Sequence, residues 1–199
     1  MREVSLWFWA DPHLDHDKVI EYLNRPFSSV EEMNEKLIRN VNDVVSKEDQ
    51  LWILGDFTNR AKIERVRELR SQIACRHVHL IYGNHDRKCA GEGIFESVQD
   101  YKELKTKYTR AVLFHYPMRE WSGAHYGSLH LHGHIHSTGE YNEENLKKKY
   151  VEYMPYGHKP ADSDLGVRIY DVGGDANAYR PVSLDEIACR MKLSPISKK

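Results

Sequence analysis

The chain has 199 residues, enough for one domain with a real hydrophobic core. Its 29 Lys and Arg nearly balance 30 Asp and Glu, so no overall field favours nucleic acid or an anionic membrane. Cys75, Cys89 and Cys189 show no paired spacing, which argues against a disulfide framework and a structural zinc knuckle and makes a reducing cytoplasm the expected setting.

From the N-terminus, the apolar run Val4 to Ala10 is too short to span a bilayer and reaches Asp11 without a convincing cleavage site, so it is predicted as the first strand. It opens a series. Five runs suited to buried strands, VSLWFW, QLWIL, VHLIY, AVLF and SLHL, lead into short polar strings: DPH at 11–13, GDF at 55–57, GNHD at 83–86, FHYP at 114–117 and GHIH at 133–136. Trp7, Trp9 and Trp52 fall in these runs and read as core.

Helices are predicted between the strands. Ser28 and Ser29 stand at capping-box spacing from Glu31 and Glu32, and Val30, Met33, Leu37, Val41 and Val44 follow at helical period, with an end near Lys47. A second helix is predicted over Lys62 to Ile73, and a last one is opened by Ser183 and Glu186 behind YRPV. Alternating strands and helices point to one α/β domain over residues 1–199, with a polar surface excursion at about 137–165 whose Lys147 to Lys149 run is a solvated face. In such sheets ligands collect in the crevice at the carboxyl ends of the strands, where one site could gather all five strings.

The strings carry metal-binding chemistry. Asp11 and His13 are two apart at a strand end, so in extended backbone their side chains leave one face and can grip one cation; the same holds for His134 and His136 if that backbone stays extended. Mixed carboxylate and imidazole ligation suits first-row transition ions better than Mg or Ca. Gly55, Gly83 and Gly133 immediately precede Asp56, Asn84 and His134, as sharp turns beside a crowded ion pair require. Asp56 has two oxygens and can bridge cations roughly 3.5–4 Å apart. Two divalent ions against the carboxylates of Asp11 and Asp56 leave a positive centre that attracts an anionic phosphate ester.

The ordered set resembles the calcineurin-like metallophosphoesterase superfamily, and a small bacterial and phage branch of it in particular, through DPHLDHDKVI at 11–20, NRPF at 24–27, SVEEMN at 29–34 and YRPVSLDEI at 179–187. The resemblance implies a four-layer α-β-β-α sandwich of two mixed β-sheets flanked by helices. It implies two divalent transition ions per chain, manganese foremost and Fe, Zn, Ni or Co as alternatives. Asp11, His13, Asp56 and His136 would hold one, and Asp56, Asn84, His115 and His134 the other. His85 would be the general acid that protonates the leaving oxygen, a task suited to an imidazole, with Asp86 able to hold its ring.

The expected activity is hydrolysis of phosphate esters by a hydroxide at the dinuclear centre, with a preference for phosphodiesters that the resemblance implies. Phosphomonoesterase action, cleavage of short nucleic acid and a non-catalytic metal-binding scaffold are the alternatives. A complete ligand set beside His85 argues against the scaffold. The expected partner is a small phosphate ester, nucleotides included, and not a membrane. For substrate binding, His16 belongs to the branch motif. Arg25 and Arg119, with Arg87 and Arg180, are candidate phosphate clamps because a guanidinium can bind two phosphate oxygens. Trp121, in a Gly-containing loop, is the aromatic best placed to stack on a base. His77, His79, His125, His130, His132 and His158 are expected in structural or surface roles.

Overall fold

A computed structural model describes residues 3–86 and 93–196; Arg87 and Cys89 lie outside the described residues. Strands β1 (Leu6–Trp9), β2 (Gln50–Leu54), β3 (His77–Ile81) and β4 (Ser97–Gln99) pair in parallel, and β9 (Val182–Ser183) adds antiparallel to β1, giving the order β4-β3-β2-β1-β9. The second sheet has the order β5-β6-β7-β8, from β5 (Tyr101–Lys105), β6 (Arg110–Phe114), β7 (Leu129–His132) and β8 (Ile169–Asp171), with only the β5-β6 pair antiparallel. Both sheets are mixed.

Strand alternation sorts the core into layers. In β1 and β2, Trp9, Leu51 and Ile53 face a cluster built with α2 (Val30–Val44) and α3 (Ile63–Ser71), whose Met33, Leu37, Val41, Val66 and Leu69 are buried. Their alternate neighbours Phe8, Trp52 and Leu54 meet Leu113, Leu129, Leu131 and Tyr170 between the sheets. On the far face of the second sheet, Val112 and Ile169 pack with Trp121 and Tyr150. Helix, sheet, sheet and helix therefore stack in four layers, as expected for a metallo-dependent phosphatase fold.

Local signals set the helix ends. Ser29 Oγ accepts from Glu32 N–H at 3.2 Å, and the Glu32 carboxylate accepts from Ser28 N–H at 2.7 Å. Ser183 and Glu186 form a reciprocal box at the start of α6 (Leu184–Arg190), with bonds of 2.8 and 3.1 Å.

Residues 137–165 are more than a surface excursion. They form α4 (Gly139–Lys147) and α5 (Tyr150–Tyr153), which supply the outer layer over the second sheet. Buried Asn142 bridges them to β8, accepting from Asp171 N–H at 2.8 Å and donating to Asp171 O at 2.9 Å. A polar side chain makes this docking contact, which is why composition alone reads the segment as solvated. Among the described residues, no helix is long and apolar enough to cross a membrane.

Candidate metal centre

The five strings begin where β1, β2, β3, β6 and β7 end. Backbone bonds lace them together: Asp11 N–H donates to Gly55 O at 3.1 Å, His13 N–H to Asp56 O at 3.0 Å, and Gly133 N–H to His115 O at 2.9 Å. The ligand-bearing backbone is not extended. Asp11, His13, Asp56, His134 and His136 all have positive φ, between 45° and 72°. This left-handed region is costly for residues with a Cβ, and its clustering at one site is a mark of function. The expectation that Asp11/His13 and His134/His136 share a cation by strand geometry is therefore corrected. Side chains two apart converge in the first pair, whereas His134 and His136 diverge to different clusters.

Asp11, His13 and His136 form one cluster and Asp56, His115 and His134 another, each with ligand atoms within 4.8 Å of one another. Between them lies Asp56, whose Oδ2 is 3.6 Å from His13 Nε2 and 3.6 Å from His115 Nε2. Asn84 joins the second group, its Oδ1 3.1 Å from His115 Nε2. Two of the remaining ring nitrogens are held by the protein. His115 Nδ1–H donates to Leu54 O at 2.8 Å, and His136 Nδ1–H donates to Asp175 Oδ2 at 3.0 Å. Such bonds fix the tautomer that leaves Nε2 free to ligate.

The residues fit a pair of cations. Burial lowers the pKa of His115, so its ring is neutral and its Nε2 lone pair faces another acceptor, Asn84 Oδ1. His13 Nε2 and His136 Nε2 are likewise only 3.3 Å apart, and burial together with His136 and Arg25 pulls the His13 pKa down to about 2. Burial, with Asp171 and Asp56 close by, pushes Asp11 well above the usual carboxylate range, and its Oδ1 has no hydrogen-bond partner. Facing acceptors and crowded buried carboxylates are unfavourable unless positive charge sits among them.

Space at the centre is supplied by glycine. A Cβ on Gly83 would come well under 3.0 Å from Asp56 Oδ1, and one on Gly133 equally close to Asp11 Oδ2. At these two positions the missing side chain matters because a ligand from another strand occupies its place; the left-handed turn falls on the ligands themselves.

Above the clusters opens a cleft of about 510 Å³, lined by His13, His16, Lys18, Val19, Tyr22, Leu23, Asp56, Asn59, Asn84, His85, His134 and His136. His85 is here with its Nε2 3.9 Å from Asp56 Oδ2, and the His16 ring packs 5.3 Å from that of His13. Five expected site residues are placed elsewhere or otherwise engaged. Asp86 does not hold the His85 ring; its buried carboxylate accepts the N–H groups of Asp56, Gly83 and Phe57 at 2.7, 2.9 and 2.9 Å. Arg25 is no phosphate clamp, being 4% exposed and bonded to both oxygens of Asp175 and to the carbonyls of Asp11 and Pro12. Trp121 is a core residue, its Nε1–H on Ser128 O at 3.1 Å and its ring against His130. Arg119 is exposed and does not line the cleft. Arg180 pairs with Glu186 at 2.7 Å.

Asp175 is the residue that sequence reasoning missed. Burial works against its carboxylate, but hydrogen bonds from His136 and Arg25 hold its pKa below the ordinary value. The available signal was the GGD string at 173–175, glycines followed directly by an aspartate as in GDF, but without a continuous apolar run before it.

Two mixed sheets between helices, with carboxylate and imidazole clusters at the strand ends, define the class of metallo-dependent phosphatases. Residues 11–159 match the calcineurin-like phosphoesterase superfamily domain, and the chain belongs to that superfamily. It is 31% identical over 174 residues to the uncharacterized protein MJ1445 of Methanocaldococcus jannaschii, covering 85% of this chain and 93% of that protein. It is 28% identical over 163 residues to the gene 66 protein of Mycobacterium phage L5, covering 67% and 78%. Among solved structures, the protein AQ665 of Aquifex aeolicus shares the fold with a TM-score of 0.67 at 22% identity, over 94% of this chain and 99% of that one.

Proposed function

We propose that the chain is a dinuclear-metal phosphoesterase that hydrolyses phosphate esters, diesters in preference to monoesters. The observation that carries the reading is Asp56 Oδ2, 3.6 Å from an imidazole nitrogen of each cluster, where one carboxylate can serve two cations. Asp11, His13 and His136 with Asp56 would hold one ion, and Asn84, His115 and His134 with Asp56 the other. Two divalent transition ions, manganese foremost, would lower the pKa of a bound water and draw charge from the phosphoryl oxygens. Asp175 and the Leu54 carbonyl keep His136 and His115 in the ligating tautomer. His85, inside the cleft, gives its proton to the leaving oxygen.

Reconstitution with Mn followed by elemental analysis tests the centre. The expected result is two ions per chain, with Asp56→Asn lowering occupancy at both positions and His13→Ala mainly at one; no metal above background would end the proposal. On the loaded protein, bis(p-nitrophenyl) phosphate should be turned over faster than p-nitrophenyl phosphate, and the reverse order would make it a monoesterase. His85→Ala should keep its metal and lose more activity on esters with poor leaving groups than on nitrophenyl esters.

A further inference from the structure

One wall of the cleft differs from the rest. Tyr22 and Leu23, the last residue of α1 (Asp17–Tyr22) and the one after it, present apolar surface there, while Val19 of the same helix is buried, and Lys18 also lines the cleft. Tyr22 is 70% exposed. Because this exposed ring lines the cleft, a flat group bound there could stack on it and bury a large apolar area.

The wall is rigidly built. Asn24 takes the left-handed conformation at φ 50°, donating to Glu21 O at 3.3 Å while Arg25 N–H donates to Ile20 O at 2.9 Å. This paired closure is a Schellman motif with Asn in place of the usual Gly. The next side chain, Arg25, is bonded to the carbonyls of Asp11 and Pro12 and to Asp175, which in turn holds His136. Tyr22 is thereby fixed relative to the metal-binding loops. Positive charge is sparse on this wall: among the described residues Lys18 is the only Lys or Arg lining the cleft. Among these residues a substrate with several phosphates finds little beyond Lys18 to hold it, whereas one phosphoryl group attached to a flat ring matches the surface that Tyr22 offers.

We infer that the α1 wall is the specificity pocket and receives an aromatic substituent of the substrate, an aryl ring or a nucleobase, which stacks on Tyr22 with Leu23 beside it. The inference rests on the phosphoesterase reading and names the substrate class of that same site.

Binding is measured by titration calorimetry on the Mn-loaded full chain with three non-hydrolysable phosphonates, carrying a methyl, a phenyl or a thymidine group, while turnover of bis(p-nitrophenyl) phosphate is followed on the same preparations. The phenyl and thymidine ligands should bind more tightly than the methyl one. Tyr22→Ala should weaken those two by roughly 5- to 150-fold, the range that stacking energies give, and leave methylphosphonate unchanged. Tyr22→Phe should retain the preference, since the ring and not the hydroxyl makes the contact. A loss confined to the phenyl ligand identifies an aryl group as the occupant, and one confined to the thymidine ligand a nucleobase. Equal affinity of all three for the wild type, or equal weakening of all three in Tyr22→Ala, overturns the α1 assignment while turnover still supports the phosphoesterase. Absence of turnover from metal-loaded wild type removes that reading and this inference with it.

Discussion

Asp86 shows how much of the centre depends on a side chain that touches no substrate. Its two oxygens accept three amide protons, one from its own loop and two from the loop after β2, so it fastens the backbone that presents Asp56 and Asn84. Asp86→Asn offers one acceptor and one donor where two acceptors are needed, leaving buried N–H groups unpaired. The expected cost is about 1–3 kcal/mol in denaturant unfolding, with reduced metal occupancy. Its dependence on leaving-group pKa should stay that of the wild type; if it instead mimics His85→Ala, Asp86 acts through the His85 ring after all. The residue types of the candidate metal centre were legible because each lies in a short string at a strand end. Arg25 and Asp86 were misread because their partners lie across the fold: Asp175 is 150 positions from Arg25, and Asp56 is 30 from Asp86. Trp121 was misread for a related reason, since a tryptophan in a loop gives no sign of the sheet beneath it.

Among elements, α1 is one that the sequence reading did not predict. Six residues are too few to display a helical period, and its end is marked only by Asn24 before an Arg-Pro pair. The strands were easier: five apolar runs became β1, β2, β3, β6 and β7, because burial on both faces writes a continuous apolar run. Short β8 and β9 write none. Asn24→Gly should leave stability nearly unchanged, whereas Asn24→Ala should lose about 1 kcal/mol, because alanine is strained in a conformation that asparagine tolerates. Equal unfolding midpoints for Asn24→Ala and wild type in the chelated protein would show that α1 is not held by this turn. Helix α4 was hidden for another reason, since its contact with β8 runs through Asn142 and not through an apolar stripe.

For the molecule as a whole, the second sheet contributes a buried histidine that ties stability to pH. His130 is fully buried among Val112, Trp121 and Met118, and burial, with His132 beside it, lowers its pKa to about 3. An unfolded histidine titrates near ~6.5. The unfolded chain therefore takes up the proton first, and the contribution of neutral His130 is present above pH ~6.5 and shrinks as pH falls toward 3, by roughly 1 kcal/mol per unit. His130→Gln should unfold with a flatter pH dependence than wild type between pH 4 and about 6.5; parallel curves would assign the acid sensitivity to other groups. The glycines at the centre have a consequence for how such a protein can change. Gly83 makes room for Asp56 and Gly133 for Asp11, so a loop grafted from another protein brings a steric demand on a loop far away in the chain. The metal-binding loops must be exchanged as a set or not at all. Redesign of substrate range is left to α1, where a side chain can be changed without displacing a ligand.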